Sequence, residues 1–199
     1  LKDERKHLFK LFNIVAMAVI LGHAIGRVGC FCAGCCYGKV TTSAIGVNFP
    51  GDGYTYEGNG DYTVYGSDAY VKLFNTYLET SPAYNEGMKL HDNSLVAKAL
   101  VSANLYAKST KVLPTQLIET AFLIILFVIL LFMGKFQFPV YLIFYSVYRF
   151  MAEYLRFDNR GTTLLGISPS QLLSIIAFTA GIIMFIIYIY CYKKKQMEV

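Results

Sequence analysis

Apolar residues fall into four runs along the chain, Leu11 to Ile25, Leu117 to Met133, Phe138 to Leu155 and Leu172 to Tyr192. A helix needs about 20 mainly apolar residues to cross a bilayer. The last run meets that length without a charge, and the second and third meet it with their flanks. The first, broken by Gly22 and His23, is marginal. Punctuation agrees with helices. Ser168-Pro169-Ser170-Gln171 reads as an N-cap serine, a proline at the first helical position and a glutamine that closes a capping box. Pro114-Thr115 precedes the second run, Gly134 closes it, and Pro139 opens the third. Gly51 to Lys111 is different material, rich in Tyr, Asp, Asn and Gly. Turn signals and alternating tyrosines between Gly51 and Gly66 predict an irregular or β-hairpin region. Helical spacing of apolar residues predicts short amphipathic helices over Tyr70 to Leu78 and Leu95 to Tyr106. About sixty residues is small for an independent core, so this segment is expected to lean on the helices.

The pattern therefore predicts an all-α integral membrane protein with about four transmembrane helices and an outward-facing mixed cap segment. Residues 1–50 hold the first helix and a Gly-Arg run, 51–112 the Tyr-rich cap, and 113–199 a three-helix transmembrane part. Composition supports a membrane location. The chain has 199 residues, 55% of them hydrophobic, and a mean hydropathy of +0.45. A soluble domain sits nearer 45–50% apolar, as a rough average.

Charge orients the bundle. Lys2, Arg5, Lys6 and Lys10 precede the first run, Lys135 lies between the second and third, and Lys193 to Lys195 follow the last. Four spans put all three clusters on one side, which the positive-inside rule makes cytoplasmic. The segments from Arg27 to Leu113 and from Phe157 to Ile167 then face outward. The net charge of +5 is explained as a topology signal, with no nucleic-acid partner and no nucleic-acid-binding motif. The chain has neither an initiator Met nor a signal-peptide pattern. Its charged opening looks like an inter-helix loop, so it is expected to be the C-terminal part of a longer membrane protein.

Candidate chemistry concentrates in two places. The run Gly26-Arg27-Val28-Gly29-Cys30-Phe31-Cys32-Ala33-Gly34-Cys35-Cys36-Tyr37-Gly38-Lys39 puts an arginine and four glycines at the end of an apolar segment. Arginine at membrane depth is costly and points to function. Glycines let backbone and ligand approach closely and permit positive φ. One reading is a tight basic pocket for an anion at the membrane edge. The other is a glycine-softened helix end with a snorkelling arginine. In the third run Tyr145, Arg149 and Glu153 are spaced i, i+4, i+8, with Arg156 at i+11, which places them on one helical face. Arg149 lies roughly 16 Å along that helix at about 1.5 Å per residue. A lone charge there costs roughly 2.5–3.5 kcal/mol, so the stripe must face the bundle interior. It is either a structural Arg149–Glu153 pair or a polar cavity in which Arg149 holds an anion. Tyr148 and Tyr154 lie off this face and read as packing or interface residues.

Gln116 and Glu119, at the start of the second run, either cap it or point inward. His23, one turn before Arg27, reads as a hydrogen-bonded interior histidine. Cys30, Cys32, Cys35 and Cys36 form C-x-C-x-x-C-C, but no second cluster closes a zinc site. The cysteines are read as small apolar packing residues, with no metal and no cofactor expected. Gly26-x-x-Gly29 has no preceding strand and is not a dinucleotide fingerprint.

The order of these motifs resembles bacterial prolipoprotein diacylglyceryl transferase. Gly26, Arg27, Gly29, Phe31 and Gly38 match the family signature Gly-Arg-x-Gly-Asn-Phe-x-Asn-x-Glu-x-x-Gly-Arg, and Lys39 stands for its last arginine. Gly46-Val47-Asn48-Phe49-Pro50 is similar to the short Phe-Pro segment after it. Leu113-Pro114-Thr115-Gln116-Leu117-Ile118-Glu119 is similar to His-Pro-Ser-Gln-Leu-Tyr-Glu. Tyr145-x-x-x-Arg149-x-x-x-Glu153-x-x-Arg156 resembles the family's Tyr-Arg-Glu-Arg helix, and Gly166-Ile167-Ser168-Pro169-Ser170-Gln171 its approach to the last helix. Cys30, Ala33 and Cys35 depart from the signature's Asn, Asn and Glu, and Leu113 from its His. The family's upstream helices and their His-Gly-Gly motif have no counterpart here.

The resemblance implies transfer of a diacylglyceryl group from phosphatidylglycerol to the lipobox cysteine thiol of a prolipoprotein, at the outer face of the bacterial plasma membrane. The alternative is an inactive relative that binds anionic lipid or lipoprotein precursor. It implies Arg149, Tyr145 and Glu153 as catalytic residues. Arg27, Gly26, Gly29, Gly38, Gln116 and Arg156 are implied as substrate-binding residues. The implied partners are phosphatidylglycerol, the prolipoprotein signal peptide and membrane lipid.

Overall fold

The computed structural model describes residues 2–58, 60–157 and 166–197. The element order is α1 (Lys2–Cys32), β1 (Gly51–Gly58), β2 (Asp61–Gly66), α2 (Asp68–Thr80), α3 (Pro82–Leu90), α4 (Asn93–Ser109), α5 (Thr115–Met133), α6 (Gln137–Ala152), a 3-10 turn (Glu153–Leu155) and α7 (Pro169–Met197). The chain divides into two compact units. One comprises Leu1–Val28 with Thr115–Val199, and the other Gly29–Pro114.

The first unit is a helical bundle. Its core joins Ile20 and Ala24 of α1, Leu123, Leu126 and Leu130 of α5, and Val140 and Tyr141 of α6. Gly181 of α7 lets α6 approach, because a Cβ there would lie 2.9 Å from the Ile143 side chain. Two polar tethers cross the apolar interior. Asn13 Oδ1 accepts from Phe138 N at 3.2 Å, and Thr120 Oγ1 donates to Gln116 O at 2.9 Å, with Ala24 O at 3.4 Å. The predicted capping box is formed at the start of α7. Gln171 N donates to Ser168 Oγ at 3.2 Å, and Ser168 N donates to Gln171 Oε1 at 3.0 Å.

Among the described residues three helices are long and apolar enough to cross a membrane: His7–Cys32, Thr115–Met133 and Pro169–Cys191. Their outward positions carry Leu11, Ile14, Ile125, Ile129, Leu173 and Ile186, each more than half exposed. Isolated exposed apolar residues are ordinary on a soluble protein, whereas faces of them on long helices suit a lipid solvent. The third apolar run forms α6, whose 16 residues span about 24 Å at 1.5 Å per residue, short of the other three. The first run, expected to be marginal, belongs instead to a 31-residue helix. That helix takes in the basic residues from Lys2 onward and continues through Gly26 and Gly29. Single glycines cost about 1 kcal/mol each in a helix, which packing through Ile20 and Ala24 outweighs. Of the segment expected to form an outward loop from Phe157 to Ile167, residues 158–165 lie outside the described residues.

The second unit contains the predicted hairpin. β1 and β2 pair antiparallel, with Tyr54 opposite Val64 and Tyr56 opposite Tyr62. Helices α2 and α4 contain the predicted spans, and α3 was not anticipated. Its signal was the Ser81-Pro82 start, an N-cap followed by proline at the first position. A nine-residue helix containing Gly87 carries little periodicity to detect. This unit has a core of its own, in which Tyr70, Leu73, Phe74, Leu78, Val96, Leu100 and Ala103 are buried. Tyr70 donates to Asn104 Oδ1 at 2.6 Å, and burial raises its phenol above the ordinary range. Asp92 caps α4, accepting from Ser94 N at 2.8 Å. Before Thr115 the chain is held extended. Val47 and Val112 exchange hydrogen bonds of 3.0 Å in both directions, and Gly38 N donates to Leu113 O at 2.8 Å.

Candidate functional site

In the helical unit, Glu119 of α5 gathers groups from two other helices. Arg27 Nε of α1 lies 3.0 Å from Glu119 Oε2. His23 Nε2, one turn earlier on α1, lies 3.5 Å from Oε1. Tyr145 of α6 donates to the same Oε1 at 3.0 Å, and its hydroxyl is 3.5 Å from His23 Nε2. The Glu119 side chain is 5% exposed and that of Arg27 15%. A carboxylate this deep would be unstable alone, and the guanidinium and phenol make it tenable. Local sequence explains the meeting. His23 and Arg27 are four residues apart on α1 and so share a face. Glu119 lies on the first turns of α5, three residues after the buried Gln116.

A second cluster sits one and two turns along α6. Arg149 Nη2 lies 3.0 Å from Glu153 Oε2 and donates to Ser170 Oγ of α7 at 3.0 Å. Both charged side chains are about nine-tenths buried, at 12% and 11% exposure. The α-helix ends at Ala152 and tightens into the 3-10 turn that begins with Glu153. Arg156 follows that turn, buried, with its N–H directed at Glu153 O at 3.3 Å.

The stripe Tyr145, Arg149, Glu153 is thus divided between two partners. Tyr145 serves the Glu119 cluster, while Arg149 and Glu153 pair with each other. The Arg149–Glu153 pair that one sequence reading anticipated is present. Tyr148 stacks on Phe122 with ring centroids 4.2 Å apart, as expected of a packing residue. The residue pattern leaves Glu119 open between a cap and an inward position, and the structure makes it the centre of a cluster. The available signal was a carboxylate inside a long apolar run, which needs a cation or donors at membrane depth.

The signature glycines behave differently from one another. Gly26 and Gly29 are helical, and a Cβ on either would meet no described atom within 4 Å. Neither has the positive φ that the sequence pattern suggested. That role falls to Gly34, whose φ is +66° and whose Cβ would lie 2.5 Å from Ser67 Cβ. Gly38 holds Leu113 through its backbone. Phe31 and Phe49 of the two matched motifs meet edge to face with centroids 5.5 Å apart. At Cys35, burial and the neighbouring Cys36 and Cys30 push the thiol up to about 11.

Three long apolar helices with paired charges in the bundle interior define a helical membrane protein with a charged interior. The chain belongs to the prolipoprotein diacylglyceryl transferase family, whose model matches residues 1–187. It is 29% identical over 179 residues to phosphatidylglycerol–prolipoprotein diacylglyceryl transferase 2 of Clostridium perfringens, covering 90% of this chain and 52% of that protein. It is 28% identical over 184 residues to phosphatidylglycerol–prolipoprotein diacylglyceryl transferase of Clostridium tetani, covering 92% of this chain and 55% of that protein. The chain therefore spans about half the length of the curated relatives it matches. No solved structure matches it closely.

Proposed function

We propose that this chain forms part of an enzyme that transfers a diacylglyceryl group from phosphatidylglycerol to the lipobox cysteine thiol of prolipoproteins. Family membership and the names of the two relatives support the reaction. The observation that carries the site assignment is a pair of buried guanidinium groups, Arg27 and Arg149, each held at 3.0 Å by a carboxylate. In this reaction the thiolate sulfur attacks the diacylglyceryl carbon bonded to the phosphate oxygen. The C–O bond breaks, its electrons leave with glycerol phosphate, and the thiol proton goes to a base. Charge grows on the departing phosphate, and oriented guanidinium groups stabilise that growth without reorganising. Glu119 and Glu153 orient Arg27 and Arg149, and Tyr145 and His23 complete the cluster. Of the chain's three histidines, His23 is the one placed in this cluster. Gly26 and Gly29 keep one face of α1 low beside Arg27, with Gln116 and Arg156 in supporting substrate contacts.

The chain lies in the bacterial plasma membrane as a multi-pass protein, with α6 as a fourth span between α5 and α7. Lys135 and Lys193 to Lys195 face the cytoplasm, and the Gly29–Pro114 segment lies on the outer side of the membrane. The departures at Cys30, Ala33, Cys35 and Leu113 favour the second reading, an inactive relative that binds anionic lipid or lipoprotein precursor. A mobility-shift assay of a prolipoprotein, with the full-length protein and phosphatidylglycerol vesicles, separates the two. Conversion of the precursor supports the transferase. Lipid binding without conversion supports the second reading.

A further inference from the structure

The turn after Arg27 brings three sulfur atoms together. Two backbone bonds close the end of α1: Cys35 N donates to Cys30 O at 3.1 Å and Gly34 N to Phe31 O at 3.0 Å. With Gly34 at φ +66°, this is a Schellman cap, which sets the side chain after the glycine against the one five residues earlier. An apolar contact usually fills that place. Here the two residues are Cys35 and Cys30. Cys36 adopts φ +62°, rare for a residue with a side chain, and adds a third thiol. The Sγ atoms of Cys30, Cys35 and Cys36 all lie within 4.8 Å of one another. Cys32, two residues along the helix from Cys30, is exposed and is not among the three grouped thiols.

We propose that Cys30, Cys35 and Cys36 form a three-thiolate site for one thiophilic metal ion, Cu(I) or Zn(II). Thiolate sets select these soft ions over Mg(II) or Ca(II). A trigonal set suits Cu(I) directly, and Zn(II) would take a water as its fourth ligand. The three thiol protons pass to solvent as the metal–sulfur bonds form, with no change in oxidation state. The linear spacing C-x-C-x-x-C-C argued against a site because no second cluster follows it. The missing information was that one helix cap folds three of these residues onto a single point.

The test uses the purified full chain in detergent, reduced and freed of metal. Zn(II) and Cu(I) are added separately, each in competition with a chromophoric chelator, and thiols are then alkylated and mapped by mass spectrometry. The expected result is one equivalent of one ion bound, with Cys30, Cys35 and Cys36 protected and Cys32 and Cys191 alkylated as before. Cys36→Gly suits the positive φ, so it removes a ligand while keeping the turn. It should lose the bound equivalent and the protection. Protection of Cys32 or Cys191 instead, equal binding by Cys36→Gly, a Cys30–Cys35 disulfide that persists under the reducing conditions, or no stoichiometric binding of either ion would each overturn the proposal.

Discussion

Arg27 of α1 and Glu119 of α5 form a buried ion pair at 3.0 Å, with His23 and Tyr145 on the other carboxylate oxygen. Breaking a buried ion pair by removing one member typically costs about 3–5 kcal/mol. Glu119→Ala should therefore lower the thermal midpoint in detergent markedly, and Glu119→Gln less, because the amide still accepts from Tyr145. An unchanged midpoint for Glu119→Ala would show that the pair contributes nothing to holding α1 against α5.

Gly26 and Gly34 should respond oppositely to alanine. Gly26 is helical and a Cβ there meets no described atom within 4 Å, so Gly26→Ala should keep or raise stability by up to about 1 kcal/mol. Any loss of transfer would then report substrate contact rather than folding. Gly34→Ala puts a Cβ 2.5 Å from Ser67 Cβ at a positive φ, and should destabilise the Gly29–Pro114 unit. Protease susceptibility of the two variants reads this out. Equal susceptibility would contradict the contrast.

Asp92 should make the stability of this unit depend on acid. Hydrogen bonds from Ser94 to the capping carboxylate hold its pKa below the ordinary value. A carboxyl with a lowered folded-state pKa contributes stability above its unfolded value, and loses it as pH falls through the folded value. The midpoint difference between wild type and Asp92→Ala should thus be constant near neutral pH and shrink below about pH 4. A difference that grows on acidification would reverse the assignment of the cap.

The proposed orientation rests on the charge distribution and is checked by labelling. Single cysteines at Tyr62 and Asn85 should react with a membrane-impermeant reagent in intact cells, and cysteines at Lys135 and Lys193 only after lysis. The parent protein's own labelling serves as the baseline. Reaction at position 62 confined to lysed cells would invert the orientation.

Local signals were legible where one residue does one local job. Ser168, Pro169 and Gln171 announced the cap of α7, and alternating tyrosines announced the hairpin of β1 and β2. Periodicity placed α2 and α4. It underestimated α1, since Gly22, Gly26 and Gly29 lower helix propensity locally while Ile20 and Ala24 supply the packing that outweighs it. Spacing put Tyr145, Arg149 and Glu153 on one face but did not reveal their partners. Glu119 and Ser170 come from other helices, and helix neighbours are decided by packing rather than by spacing. The convergence of Cys30, Cys35 and Cys36 depends on two positive φ values that composition does not announce.

In the proposed function, buried guanidinium groups held by carboxylates serve diacylglyceryl transfer, a role that rests on the ion pairs at Arg27 and Arg149. It is tested most directly at Arg149 in the full-length protein. Prolipoprotein conversion is measured with phosphatidylglycerol vesicles, alongside a thermal midpoint. Arg149→Ala should abolish conversion, and Arg149→Lys should restore little of it: Nη2 meets both Glu153 and Ser170, and a point-charge ammonium lacks the guanidinium's remaining N–H groups with which to hold a phosphate. Wild-type conversion by a folded Arg149→Ala protein would contradict the account and reduce the Arg149–Glu153 pair to a packing device.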